Sequence, residues 1–249
     1  MLAPIALLCL WSGGRVWEAL VTLVAVGVAW EWVELGRSRP LAWPGVLVPG
    51  AVVLSGAAVA AGRGSLALLL LGAGMLGAWL ASGSRFLALG LLYVGVGALT
   101  LMWLRGDDGA GRANVLFLVL LVWASDIGAY IAGRLIGGPK LAPAISPSKT
   151  WAGAVGGLLA AALVGALVAV ALGGVAPGRA ALVAAGFGVA SQAGDLLESW
   201  IKRRLGVKDS GRLIPGHGGL LDRLDGLLAA AAVAALLGII SGRGHLLWT

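Results

Sequence analysis

The sequence predicts an all-α, polytopic integral membrane protein with about nine transmembrane helices. Of its 249 residues, 59% are hydrophobic and 12% are charged, whereas a typical soluble domain has about 25% charged residues. Long apolar runs recur between short segments of Gly, Pro and Arg. A run of about 20 apolar residues is long enough to cross a hydrocarbon core of about 30 Å as a helix. This composition excludes an ordinary soluble domain.

The nine apolar runs, taken in order, are the predicted helices. The first is short, and we expect it to be a retained helix because a basic N-terminal region and a small-residue cleavage site are missing. Segments such as SGGR, RSRP and GVAPGR separate the runs. The runs are 2–11, 17–35, 43–61, 65–81, 86–104, 114–135, 151–172, 180–200 and 224–240.

The basic residues predict the orientation of these helices. The net charge is +7, and in a polytopic protein such charge first indicates topology and anionic lipid rather than nucleic acid. With nine spans, 12 Lys and Arg residues fall on one side and 6 on the other. The richer side is predicted to be cytoplasmic, so that the N-terminus starts inside and the C-terminus ends outside.

The charges also divide the chain into two regions of one continuous membrane domain. Residues 1–112 contain few charges within their spans beyond Glu18, Glu31 and Glu34, and we expect this region to be a scaffold. Residues 113–249 contain the charged cytoplasmic loops and several acids within spans. They are predicted to form the catalytic region.

Two predicted helices carry acids at membrane depth. Asp126 lies within the sixth run, and a carboxylate there costs about 2.5 to 3.5 kcal/mol on insertion scales. It should therefore face protein or water, as a functional group or only as a bond between helices. Along the eighth run and just beyond its end, Gln192, Asp195, Ser199 and Lys202 are spaced 3, 4 and 3 residues apart. This spacing puts them on one helix face, which predicts a polar lining rather than a simple snorkelling helix end.

Two further carboxylates lie where the last run begins. Asp222 and Asp225 are three residues apart, so both can point into one site. Carboxylates beside Lys and Arg suit a divalent cation that is also bound to phosphate oxygens. Asp195 and Asp222 are predicted to share Mg²⁺ or to bridge a pair of metals.

Two loops contain further candidate phosphate ligands. His217 lies in a PGHGG segment, where its role is either to donate to a phosphate or only to orient the loop. It is a poor zinc candidate, because no Cys or second His is nearby. Ser146, Lys149 and Thr150 precede the seventh run. They suit a phosphate at a helix start, or merely a helix cap.

The charged stretch from Ser199 to Asp225 resembles the signature of the phosphatidate cytidylyltransferases (CDP-diacylglycerol synthases). Ser199, a Lys-Arg pair, a Lys-Asp pair, His-Gly-Gly and Asp-Arg-x-Asp follow each other at the family's spacing. The resemblance extends upstream to Asp126, Tyr130, Gly133, the Ser-Pro-x-Lys-Thr-Trp block and Gly194. One departure is Ala152, where the family usually has Glu, so that any role of that Glu is absent or met elsewhere.

The resemblance implies transfer of CMP from CTP to phosphatidic acid in the bilayer, giving CDP-diacylglycerol and pyrophosphate, with Mg²⁺ required. Whether a monovalent cation joins Mg²⁺, and whether the chain is a homodimer, stays open. The site is expected at the cytoplasmic face of the inner membrane. Asp195, Asp222, Lys202 and His217 are the expected catalytic residues, Asp195, Asp222 and Asp225 the metal ligands, and Lys149, Ser146, Thr150, Arg203, Lys208, Arg223 and Asp126 the substrate-binding residues.

Three other functions are weaker interpretations of the same residues. A transporter would explain acids within spans, but paired broken helices in two halves are not evident. A CDP-alcohol phosphotransferase also uses Asp and Mg²⁺, yet its motif of Asp-Gly, Ala-Arg, Gly, Asp and Asp is missing. A pure scaffold protein would not need the charged loop.

Overall fold

A computed structural model describes residues 2–106, 109–172, 176–211, 213, 218–241 and 246–248. Within these residues the chain forms nine helices and one two-stranded antiparallel hairpin. The helices are α1 (Leu2–Ser12), α2 (Gly14–Leu35), α3 (Leu47–Ala60), α4 (Gly64–Ser82), α5 (Arg85–Arg105), α6 (Gly109–Leu135), α7 (Trp151–Ala171), α8 (Pro177–Arg204) and α9 (Leu221–Ser241). The strands are β1 (Lys140–Ala142) and β2 (Ser146–Thr150).

The prediction of an all-α polytopic membrane protein is confirmed. Each of the nine apolar runs overlaps one helix, and seven helices are long and apolar enough to cross a membrane. The two shorter apolar helices are α1 and α3. For these two, a complete crossing of the bilayer stays a prediction. The hairpin was not predicted, because it lies in a stretch that the sequence indicates only as a loop.

The described helices group into two units by their contacts. The first comprises Met1–Asp107 and Arg204–Leu224, and the second comprises Asp108–Arg203 and Asp225–Thr249. The sequence predicts a boundary at residue 112 and a single continuous membrane domain. That division by role stays a prediction.

The first unit is built around buried tryptophans of α2. Trp32 stacks on Phe86 with 4.6 Å between ring centroids, and its indole N–H donates to the Phe86 carbonyl. The Trp17 indole donates to the carbonyl of Leu101. Because both tryptophans are buried with satisfied N–H groups, they fix α2 against α5.

The second unit depends on close helix approach at small residues. A Cβ added at Gly153 would lie 2.9 Å from the Ala129 carbonyl oxygen, and one at Gly156 would overlap the Ala132 methyl. Small residues allow helix backbones to come together where apolar lipid provides no hydrophobic driving force between helices. The same principle applies between α8 and α9, where a Cβ at Gly194 would lie 2.8 Å from the Asp225 carbonyl oxygen.

We predict opposite effects for the same substitution at two glycines of this unit. Gly156→Ala should destabilise the protein by about 1–3 kcal/mol, because the added methyl overpacks the contact between α6 and α7. Gly186→Ala is the matched control, since no neighbouring atom lies within 4 Å of its added Cβ. The control should be neutral or gain up to about 1 kcal/mol from helix propensity.

Thermal unfolding of the detergent-purified variants, followed by circular dichroism, measures this difference. If Gly156→Ala raises the melting temperature as much as Gly186→Ala, the close approach of α6 and α7 is not needed for stability.

Candidate functional site

Four of the predicted site residues meet in the second unit. Asp126 comes from α6, Lys149 from β2, Asp195 from α8 and Asp225 from α9. Asp126 and Asp225 each interact electrostatically with both Asp195 and Lys149. Residues from four separate elements therefore form one charged cluster. We call these four residues the acidic cluster.

The ammonium group of Lys149 offsets part of the negative charge in this cluster. Its Nζ lies 2.5 Å from Oδ2 of Asp195, and the two side chains are 25% and 40% exposed. Three carboxylates near each other repel unless cations intervene. The partial exposure leaves both members of this ion pair accessible to a small solute.

The polar face of α8 continues beyond Asp195. Gln192 donates from Nε2 to the Ser125 hydroxyl and to the Ala154 carbonyl, which ties α8 to α6 and α7. Closer to the end of the helix, Lys202 pairs with the buried Glu198 at 2.6 Å. The predicted role of Lys202 toward a phosphate would require its ammonium group to serve both Glu198 and the substrate.

The Ser-Pro-x-Lys-Thr block forms strand β2 of the hairpin and leads directly into α7. Thr150 is buried, and its hydroxyl accepts a hydrogen bond from the Gly153 N–H at 3.0 Å. This is an N-cap, the structural alternative that the sequence left open for this residue. Ser146 is half-buried at the start of β2. Substrate binding by Ser146 and Thr150 stays a prediction.

A second polar arrangement surrounds Asp222 in the first unit. The Asp222 carboxylate accepts hydrogen bonds from the backbone N–H groups of Ser210 and Gly219. These contacts connect two parts of the charged loop, which is the segment 205–220 between α8 and α9. Within it, Gly218 has a φ of 82°, a conformation that favours glycine. The structure thus gives Asp222 a defined place at the start of α9.

Glu31 is a polar residue of this arrangement that the sequence interpretation assigned to the scaffold. Its side chain is fully buried in α2. Its carboxylate accepts hydrogen bonds from the Ser210 hydroxyl and from the N–H groups of Leu220 and Leu221. An acid within an apolar span is a functional candidate by default, and that signal was available in the sequence.

Three of the remaining predicted site residues are basic residues at the protein surface. Lys208, Arg223 and Arg203 are exposed, and Arg203 also donates from Nε to the Ile145 carbonyl in the hairpin. Their predicted contact with phosphates stays a prediction. His217 lies outside the described residues.

The carboxylates fit a hard divalent cation by their chemistry. Among the residues that the structure describes, no group of three or more His, Cys, Asp or Glu side chains could hold a metal ion. Mg²⁺ does not need such a group, because it keeps several waters and usually takes one or two carboxylates plus substrate phosphates. The acidic cluster is therefore compatible with Mg²⁺ in the presence of a phosphate substrate.

The departure at Ala152 leaves the first turn of α7 without an acid. Ala152 itself is half-buried. Whatever a Glu contributes at this position in related chains is either absent here or supplied by other residues.

Comparison with known proteins gives matches across nearly the whole chain. A family model described as "Cytidylyltransferase family" matches residues 1–240. A phosphatidate cytidylyltransferase from Brucella suis is 42% identical over 245 residues, which are 96% of this chain and 90% of the relative. The alignment therefore includes the apolar N-terminal half as well as the charged stretch.

Two further relatives of the same name match over shorter stretches. The relative from Mycobacterium leprae is 49% identical over 127 residues, covering 51% of this chain and 40% of the relative. The relative from Staphylococcus saprophyticus is 42% identical over 146 residues, covering 58% of this chain and 55% of the relative.

Proposed function

This chain belongs to the cytidylyltransferase family, and from that premise we propose that it is a phosphatidate cytidylyltransferase. It transfers CMP from CTP to phosphatidic acid, giving CDP-diacylglycerol and pyrophosphate. The observation that carries this proposal is the 42% identity over 96% of the chain to the Brucella suis phosphatidate cytidylyltransferase. The seven long apolar helices suit an enzyme whose lipid substrate resides in a bilayer.

The proposed reaction is direct in-line displacement at phosphorus. A phosphate oxygen of phosphatidate forms a bond to the α-phosphorus of CTP, and the bond from that phosphorus to the bridging oxygen of pyrophosphate breaks. Phosphate groups are already ionised near neutral pH, so no nucleophilic side chain is needed. In such chemistry the protein mainly positions the reactants and stabilises charge.

The described residues supply the charges that this reaction needs. Two substrates with several negative charges must approach each other, and their repulsion falls when cations lie between them. Lys149 in the acidic cluster and the exposed Lys208, Arg203 and Arg223 are the proposed phosphate-binding cations. Because the pair between Lys149 and Asp195 is partly exposed, Lys149 can turn from the carboxylate to a phosphate.

We propose Mg²⁺ as the cofactor. Asp195 would hold it, with Asp225 as a neighbouring or alternative ligand, and Asp222 as the partner that the sequence predicts. When bound, Mg²⁺ would neutralise phosphate oxygens and increase the electrophilicity of the α-phosphorus.

We place the enzyme in the inner membrane with its site at the cytoplasmic face. The orientation with more Lys and Arg inside supports this placement, and soluble CTP would arrive from the cytoplasm. The acyl chains of phosphatidate would remain in the hydrocarbon region while its head group enters the charged site.

The first test is turnover by the detergent-purified protein. Labelled CTP, phosphatidate and Mg²⁺ should give labelled CDP-diacylglycerol and pyrophosphate, whereas ATP in a parallel reaction should give no product above background. EDTA should stop the reaction. Equal turnover of ATP would contradict the assignment of CTP, and full activity in EDTA would contradict the divalent cation.

A second test concerns the two proposed metal ligands. Asp195→Asn and Asp222→Asn should each lower kcat/KM by at least about a hundredfold, equivalent to ~2.7 kcal/mol of transition-state stabilisation. Glu34→Gln is the control, because Glu34 is an exposed acid of α2 whose carboxylate accepts a hydrogen bond from the Trp30 indole. It should retain activity, and melting temperatures should exclude unfolding. Normal turnover by either Asp variant would remove that residue from the site.

A third test concerns topology. Reporter fusions after Gly206 should report a cytoplasmic location, and fusions at Thr249 should report the opposite side. Alkaline phosphatase and green fluorescent protein fusions give complementary signals for the two sides. The reverse pattern would place the charged loop outside and overturn the proposed orientation.

A further inference from the structure

Glu31 is a buried acid that the proposed chemistry does not use. Its exposure is 0%, although it lies in a helix with the composition of a membrane span. Burial of an ionised carboxylate is strongly unfavourable unless hydrogen bonds or opposite charges compensate. Its position therefore depends on the groups that contact its two oxygens.

Those groups come from the charged loop between α8 and α9 and from the first residue of α9. The Leu220 N–H donates to Oε1 at 2.9 Å, and the Leu221 N–H donates to Oε2 at 2.8 Å. These N–H groups lie at the start of α9, where backbone donors have no partner within their own helix. A carboxylate is also stabilised there by the helix dipole. Glu31 thus caps a helix that lies about 190 residues later in the sequence.

Ser210 connects Glu31 to Asp222. Its hydroxyl donates to Oε2 of Glu31 at 3.2 Å, while its backbone N–H donates to the Asp222 carboxylate. Ser210 is itself buried. One residue of the loop is therefore held by both acids, and the place of Asp222 depends on the place of Glu31.

Two glycines of the charged loop let Glu31 approach so closely. A Cβ added at Gly211 would lie 2.5 Å from Oε1 of Glu31, and one at Gly219 would lie 2.8 Å from Oε2. Real Cβ atoms essentially never come within 3.0 Å of such neighbours. Glycine at position 211 thus has a physical explanation in the contact with Glu31. At position 219 the explanation is the Ser210 hydroxyl, which a Cβ would overlap, together with Glu31, to which that hydroxyl donates.

We propose that Glu31 is a positioning residue for the cytidylyltransferase reaction. It does not touch the substrate, because its side chain is fully buried. It holds the loop segment around Ser210 and the start of α9 so that Asp222 takes its working position. The inference rests on the proposed function of Asp222, and it assigns a catalytic consequence to a residue of the N-terminal region.

The test compares Glu31→Gln with Glu34→Gln, an exposed acid on the same helix. The Gln amide puts a donor where a carboxylate oxygen accepts a bond, so at least one of the three contacts is lost. Hydrogen–deuterium exchange of peptides covering residues 205–224 should become at least about tenfold faster in Glu31→Gln, the factor that one lost charge-assisted hydrogen bond corresponds to. Exchange in Glu34→Gln should equal that of the wild type.

Steady-state kinetics separate positioning from a merely structural role. At temperatures well below the melting transition, kcat of Glu31→Gln should fall at least about tenfold, while KM for CTP changes much less. A structural role predicts only a lower melting temperature with unchanged kcat. Unchanged exchange, or faster exchange with normal kcat, would each overturn the proposal.

Ser210→Ala provides a second variant in case Glu31→Gln does not fold. It removes the hydroxyl hydrogen bond to Glu31 and leaves the backbone N–H group that donates to Asp222. It should speed loop exchange and lower kcat by about two- to fivefold, and combined with Glu31→Gln the two effects should not add. If Ser210→Ala has wild-type exchange and kcat, the proposal is wrong.

The exchange and kinetic measurements together also separate this proposal from the proposed function. If the wild type and Glu34→Gln do not turn over CTP, the function has failed, while the exchange comparison still decides whether Glu31 holds the loop. If both are active and Glu31→Gln keeps normal kcat, only the positioning role has failed.

Discussion

The structure depends on a constraint that apolar spans impose: every charged group at membrane depth needs a partner supplied by the protein. Hydrocarbon offers no hydrogen bonds, and an unsatisfied polar group there costs several kcal/mol. The partners here are of two kinds. Lys149 and Lys202 supply positive charge to Asp195 and Glu198, whereas backbone and hydroxyl donors satisfy Glu31. In the proposed reaction the first kind would exchange with substrate phosphates, while the second kind would hold its surroundings in place.

Small residues make these partnerships geometrically possible. A Cβ at Gly157 would lie 2.7 Å from Nε2 of Gln192, the residue that ties α8 to its neighbours. Gly211 and Gly219 play the corresponding part for Glu31. The glycines therefore do more than permit helix packing in lipid. At these positions they let a polar side chain reach a partner that a larger residue would block.

The sequence predicted the helices well because each helix corresponds to a local pattern of apolar residues. Apolar runs of sufficient length identify membrane spans without any knowledge of contacts, and all nine runs overlap helices in the described part of the chain. The sequence also identified the acids of the acidic cluster as candidates, because Asp126, Asp195 and Asp225 lie within apolar runs. The hairpin has no such pattern, because strands of three and five residues are too short to show a clear alternation of apolar and polar residues.

Glu31 is visible in the sequence as an acid within an apolar span, but its contacts could not be predicted. Its three donors are 179 to 190 residues away in sequence, and no spacing pattern connects residues so far apart. The sequence shows an acid in a span and a glycine-rich loop as separate features, and only the fold brings them together. In the fold, a Cβ at Gly211 would clash with Glu31, and a Cβ at Gly219 would overlap the Ser210 hydroxyl and also approach Glu31.

This arrangement has a consequence for Asp222. The N–H groups of Ser210 and Gly219 fix the orientation of its carboxylate, and a carboxylate oxygen can accept in more than one direction. A carboxylate held in this way needs little reorganisation when charge accumulates at the reacting phosphates, and preorganisation of this kind is a large source of rate enhancement. Under the positioning proposal, a buried acid in the N-terminal region therefore influences a reaction whose substrates it does not contact.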